Sequence, residues 1–246
     1  MTALRKAPAS AGSVAARVAA ADWARIAADL EARGAATTGP LLSAAECRAL
    51  AALYAGESGF RSRVVMARHG FGQGEYKYFA YPLPPRVAEL RQALYPRLAP
   101  TARRWYAAMG RKADLPDTLD AYLRRCHAAG QTRPTPLLLR YGEGDYNCLH
   151  QDLYGELAFP LQATILLSAP GADFEGGEFV LVEQRPRMQS RPEVVPLRQG
   201  EAVIFAVNER PVEGKRGVYR VKMRHGVSRL RSGERLTLGV IFHDAR

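Results

Sequence analysis

The chain has 246 residues, 47% of them hydrophobic and 24% charged, with 35 Lys and Arg against 24 Asp and Glu for a net charge of +11. This is the make-up of an ordinary soluble globular protein large enough for one sizeable core; no apolar run reaches the roughly 18 residues of a membrane span, and the alanine-rich start (residues 1–21) is broken by Arg17 and lacks the apolar stretch of a secretory leader. Cys47, Cys126 and Cys148 are odd in number and without CxxC spacing, which excludes a disulfide scaffold and fits a reducing cytoplasm.

The first third of the chain reads as helical. Trp23, Ile26 and Leu30 share one helical face, and Gly34 with the stretch Thr37-Thr38-Gly39-Pro40 ends that helix. Ser43-Ala44-Ala45-Glu46 is a capping box opening a second helix through Leu50 and Leu53. Over residues 57–81 the texture turns extended. Two strand-like pieces, 60–66 and 75–79, flank a turn punctuated by Gly70, Gly72 and Gly74, which predicts a hairpin. After Pro82-Leu83-Pro84-Pro85 helical patterning resumes to about Tyr106 and returns from Leu115 to Ala128. From Thr135 onward short strands are predicted at 137–141, 163–168, 178–182, 202–206, 218–227 and 235–242, most of them separated by Gly and Pro. The expected fold class is α+β with a mainly β core. An N-terminal helical region (1–134), carrying the hairpin as a candidate substrate lid, packs on a double-stranded β-helix, or jelly roll (135–246), in one compact unit.

Within the β region, His150-Gln151-Asp152 is followed 73 residues after the aspartate by His225. Alternate strand residues face the same way, so His150 and Asp152 look into one space if extended. In the later strand Tyr219, Val221, Met223, His225 and Val227 share an apolar face, opposite Arg220, Lys222, Arg224 and Ser228. His225 is thereby predicted to point inward, where a polar ring needs a partner. Two histidines and a carboxylate suit an Fe(II) ion with open positions for other ligands. The bland alternative is a chance HxD pair and a hydrogen-bonded core histidine; His69, His127 and His243 are read that way, as structural or surface residues. Ten positions after His225, Arg235 opens a strand whose Thr237, Gly239 and Ile241 face inward with it. A buried guanidinium without a carboxylate invites an anionic ligand, whereas solvation at the Ser232-Gly233 turn is the alternative.

The segment 141–152, with Tyr141, Gly144, His150 and Asp152, resembles the Y-x-x-G-(x)5-H-x-D segment of the Fe(II)/2-oxoglutarate-dependent oxygenases. Leu149-His150-Gln151-Asp152 is especially similar to the AlkB nucleic-acid demethylases, and the spacing from His225 to Arg235 to that of prolyl 4-hydroxylases. Gly176-Gly177-Glu178 looks like the superfamily's turn between metal-binding strands. The resemblance covers about residues 137–244. It implies Fe(II) held by His150, Asp152 and His225, and 2-oxoglutarate held by Arg235, Thr237 and Tyr141. The implied reaction is hydroxylation of a C–H bond by dioxygen with release of succinate and CO2. The chain departs from both patterns: Leu139 stands where AlkB enzymes have Asn, and Asn147 where the prolyl hydroxylases have Tyr.

Two features point to single-stranded or damaged DNA or RNA. Residues 184–235 hold 13 Lys and Arg against 5 Asp and Glu, and the face of Arg220, Lys222 and Arg224 could follow phosphates. The hairpin interleaves Arg68 and other cations with Tyr76 and Tyr78, side chains suited to stacking on bases. The leading expectation is oxidative demethylation of alkylated nucleic acid, a DNA-repair chemistry, in the cytoplasm and away from membranes. The alternatives are a protein (prolyl) or small-molecule hydroxylase and, from another class, a non-catalytic nucleic-acid-binding jelly roll. Packing between hairpin and barrel is the structural alternative for the aromatics, and a solvated face for the basic stripe.

Overall fold

A larger and a smaller antiparallel sheet enclose the site, and helices back the larger one. The computed structural model describes residues 12–152, 155–215 and 217–246. Residues 1–11 of the alanine-rich start lie outside the described residues. The larger sheet runs β1 (Ala35–Pro40), β11 (Glu201–Ala206), β7 (Leu161–Leu166), β15 (Arg235–Val240), β5 (Leu137–Tyr141), β4 (Glu75–Phe79), β2 (Phe60–Val65). The smaller runs β10 (Arg191–Val195), β9 (Phe179–Gln184), β13 (Gly217–Val227), β6 (Tyr146–His150), β3 (Gly72–Gln73), with β12 (Glu209–Gly214) also paired to β13. A short pair, β8 (Phe174–Gly176) with β14 (Leu230–Gly233), completes the double-stranded β-helix.

Strand parity divides the larger sheet into two working faces. Leu236, Leu238 and Val240 of β15 join the main core with Leu90, Leu94 and Leu98 of helix α4 (Pro85–Ala108), whereas Arg235, Thr237 and Gly239 face the cavity between the sheets. Helices α1 (Val14–Ala20), α2 (Trp23–Arg33), α3 (Ala44–Ala52) and α5 (Leu119–Ala128) complete the helical side. Trp23, Ile26 and Leu30 fall on α2, which ends at Gly34 in the left-handed conformation, and the capping box of Ser43 and Glu46 starts α3. Arg91 of α4, buried, donates to Asp244 at 2.7 Å and to the Ile241 carbonyl at 2.8 Å, tying the helix to the end of the chain. No helix among the described residues is long and apolar enough to cross a membrane.

Three parts differ from the sequence expectations. The stretch around Thr37–Pro40 is more than a helix terminator: it forms β1, where an edge strand tolerates proline because one backbone side needs no ladder partner. Strands β6, β8, β10, β12 and β14 were not anticipated, being short or rich in polar residues. The hairpin forms, and it is hydrogen-bonded into both sheets: β4 pairs with β5 of the larger one, and β3 in its turn pairs with β6 of the smaller.

Candidate active site

His150 and His225 meet because β6 and β13 place their Cα atoms opposite one another, bringing the ring centroids to 4.2 Å. Asp152 lies just past the end of β6, with its Oδ1 3.5 Å from His150 Nε2 and its Oδ2 3.4 Å from His225 Nε2. One donor atom from each residue can be chosen so that all lie within 4.8 Å of one another. Among the described residues this is the one His/Cys/Asp/Glu group so arranged.

The surroundings prepare these groups for a cation. His150 Nδ1 is 2.8 Å from the Cys148 carbonyl, which can only accept, so the ring donates there and leaves the Nε2 lone pair free. His225 is packed against Phe205 and Phe179, and its Nδ1 is buried without a partner. Burial pushes the Asp152 carboxyl up, but the imidazoles of His150 and His225 beside it outweigh that and hold it well below the ordinary carboxylate range. The two rings diverge. Burial lowers His225 more than Asp152 raises it, whereas at His150 burial is outweighed by the pull of the same carboxylate. An ionised carboxylate and a neutral inner imidazole are the protonation states a metal requires.

A cavity of about 370 Å³ extends from the triad to Arg235, lined also by Tyr141, Thr237, Tyr76, Tyr78, Leu139 and Asn147 among others. Arg235 is 2% exposed, its Nε and Nη1 have no hydrogen-bond partner, and it forms no ion pair among the described residues. Burial lowers it to about 10. Its guanidinium carbon lies 5.7 Å from the ring centroid of Tyr141 and 5.9 Å from that of Phe174. A charge desolvated in this way, with donors unused, calls for an anion. The register explains the position: Arg235 pairs with Tyr141 and Thr237 with Leu139 across β15 and β5. Gly177, at φ +59°, makes room, since a Cβ there would come within 2.9 Å of Arg235 Cδ and 2.2 Å of Leu230 Cδ1. A metal-binding triad at one end of a cavity and an unpartnered guanidinium at the other fit Fe(II) together with a dicarboxylate such as 2-oxoglutarate.

The remaining residues singled out in the sequence divide into two groups. Tyr76 and Tyr78 line the cavity, in edge-to-face contact at 5.4 Å, and Arg61 lies over Tyr78 at 4.3 Å. Arg68 is exposed on the short helical turn Met66–His69 and does not line the cavity. Arg220, Lys222 and Arg224 are exposed on the other face of β13 from His225 and do not line it either, because alternate residues of a strand point oppositely. The sequence reading missed Gln162, which donates to Asp152 Oδ2 at 2.8 Å, and Asn147, which donates to the Tyr141 hydroxyl at 3.3 Å. It also missed Leu137 as part of the wall, although Leu137, Leu139 and Tyr141 share a face by simple alternation.

Comparison with known proteins places the chain among relatives. A family model named Oxygenase-NA, described as "Oxygenase, catalysing oxidative methylation of damaged DNA", matches residues 74–245. The uncharacterized proteins Rv2227 and MT2286 from two strains of Mycobacterium tuberculosis are each 56% identical over 167 residues, covering 68% of this chain and 72% of theirs. Among solved structures, a prolyl 4-hydroxylase from Phytophthora capsici is similar with a TM-score of 0.51 and 16% identity, covering 92% of this chain and 62% of that one. The non-heme alpha ketoglutarate dependent epimerase SnoN from nogalamycin biosynthesis is similar with a TM-score of 0.50 and 18% identity, covering 88% and 80%. At these identities the structural likeness is one of fold.

Proposed function

The chain belongs to the Oxygenase-NA family within the Fe(II)/2-oxoglutarate-dependent oxygenases, an oxidoreductase whose cofactors are Fe(II) and 2-oxoglutarate, and we propose that His150, Asp152 and His225 hold its iron while Arg235, with Thr237 and Tyr141, holds the distal carboxylate of 2-oxoglutarate. The observation that carries this assignment is the unpartnered, buried guanidinium of Arg235 in the same cavity as the triad.

Once bound, Fe(II) and 2-oxoglutarate supply the oxidising power: dioxygen and 2-oxoglutarate give succinate and CO2, and one oxygen atom enters a substrate C–H bond. The chain's own residues bind and orient. Cys148 and His150 together fix which imidazole nitrogen is available. Arg235 neutralises the far carboxylate, and the hydroxyls of Thr237 and Tyr141 can hydrogen-bond to it. Phe179 and Phe205 keep water from the inner face of His225.

For the substrate, the reading best supported is alkylated nucleic acid. The family description, the net charge of +11 and the cavity-lining pair Tyr76 and Tyr78 favour a base inserted next to the triad. Hydroxylation of an N-methyl carbon leaves an N–CH2–OH group. Its C–N bond then breaks, the hydroxyl proton passes to nitrogen and formaldehyde departs. Hydroxylation of a protein side chain is the second reading, favoured by the ten-residue interval from His225 to Arg235.

Anaerobic addition of Fe(II) and 2-oxoglutarate to the full chain should produce the weak visible charge-transfer band of the bound chelate, and His225→Ala should abolish it. Wild type without a band would overturn the site assignment. Succinate release with methylated single-stranded DNA against proline-rich peptides decides the substrate. Stimulation by peptide alone would refute the nucleic-acid reading.

A further inference from the structure

Asp152 stands beyond the last paired residue of β6, so the ladder that orders His150 and His225 does not order it. Two glutamines flank the problem. Gln151 donates through Nε2 to Asn208 Oδ1 at 2.7 Å and to the Met223 carbonyl at 3.0 Å, which ties the residue between the two proposed ligands to β13. Gln162, on β7 and held by its pairing with Phe205 of β11, donates through Nε2 to Asp152 Oδ2 at 2.8 Å. An ionised carboxylate only accepts, so the amide nitrogen of Gln162 must face it and Oε1 must turn away. That Oε1 is buried without a partner. A buried polar atom left unpaired opposes folding, and an apolar side chain in this half of the core would avoid the cost. Gln162 therefore contributes something other than stability, and what its other end touches is the carboxylate of the triad.

We propose that Gln162 is the positioning residue for Asp152: its amide N–H fixes the rotation of the carboxylate and so sets the affinity of the triad for its metal. The inference rests on the iron assignment above and concerns a residue that does not itself ligate. Removing an outer partner of a metal ligand typically weakens metal binding about 10- to 100-fold.

The test uses the full chain and Mn(II), a redox-silent probe of the same site, in anaerobic titrations followed by electron paramagnetic resonance. Gln162→Met, close in length and volume, should weaken Mn(II) binding about 10- to 100-fold. The dissociation constant for 2-oxoglutarate at saturating metal should stay at the wild-type value, because Arg235 is untouched. A general loss of structure would move both constants together, and the Mn(II) spectrum of the saturated variant should show a changed site symmetry that a distant packing defect would not cause. Gln162→Asn, which keeps the amide on a stem too short to reach, should behave as Gln162→Met does and serves if the latter does not fold. Mn(II) affinity within about threefold of wild type in either folded variant overturns the proposal. If wild type itself binds no Mn(II) or Fe(II), the iron assignment is what fails.

Discussion

Replacing Arg235 by methionine should make the metal-free protein more stable while destroying its grip on 2-oxoglutarate. Burial pulls the guanidinium well below its ordinary value, to about 10. At about 1.36 kcal/mol per tenfold change in proton affinity, the folded chain disfavours this charge by roughly 3 kcal/mol. The rings of Tyr141 and Phe174, both within 6 Å of the guanidinium carbon, return about 1 kcal/mol of cation–π attraction that methionine loses. The difference is about 2 kcal/mol in favour of the variant, which for a chain of this size raises the melting temperature by roughly 4–8 °C. Thermal unfolding in EDTA without 2-oxoglutarate reads this directly. With Mn(II) present, 2-oxoglutarate should then raise the melting temperature of wild type and leave Arg235→Met unmoved. A variant that melts below wild type in EDTA would show that Arg235 supports the fold, and the case for an absent anion would collapse.

Gly177→Ala should weaken 2-oxoglutarate binding more than metal binding, because its Cβ would push on Arg235 and Leu230 from a positive-φ position; equal affinity for 2-oxoglutarate in isothermal titration would count against that packing. Tyr76→Ala should raise the KM for methylated single-stranded DNA by roughly 5- to 150-fold, the worth of one base stack, with the charge-transfer band retained, and an unchanged KM would remove Tyr76 from the substrate site. Glu183 is buried, paired with buried Arg210 and with part-exposed Arg185; burial raises its carboxyl, but hydrogen bonds from both arginines prevail and set it below its ordinary 4.5. With the folded value depressed, its contribution is complete above about pH 4.5 and is lost as the pH falls through the folded value. Urea melts of wild type and Glu183→Gln should therefore converge between about pH 5 and 3, and a pH-independent gap would contradict the linkage.

Much of the candidate site was legible before any tertiary information. The inward phase of His225 and the shared face of Arg235 and Thr237 follow from alternation along single strands, and the structure has both. The same parity puts Arg220, Lys222 and Arg224 on the far face, so the basic stripe could have been separated from the site by sequence reasoning alone. Helix boundaries with chemical markers, such as Gly34 and the capping box at Ser43, were equally readable. Short polar strands such as β6 and β10 were not, because their strand character comes from pairing partners rather than from their own side chains.

By itself the sequence determined which chemistry the chain can carry and which face of each long strand carries it, since residue type and a period of two are properties of a single segment. Only the tertiary structure decided which segments meet. Ala35 pairs with Phe205, the hairpin is stitched to both sheets, and Gln162 reaches Asp152. Such contacts depend on register between segments distant in the chain, where the free energy comes from closing a shared core, and no local pattern records the partner.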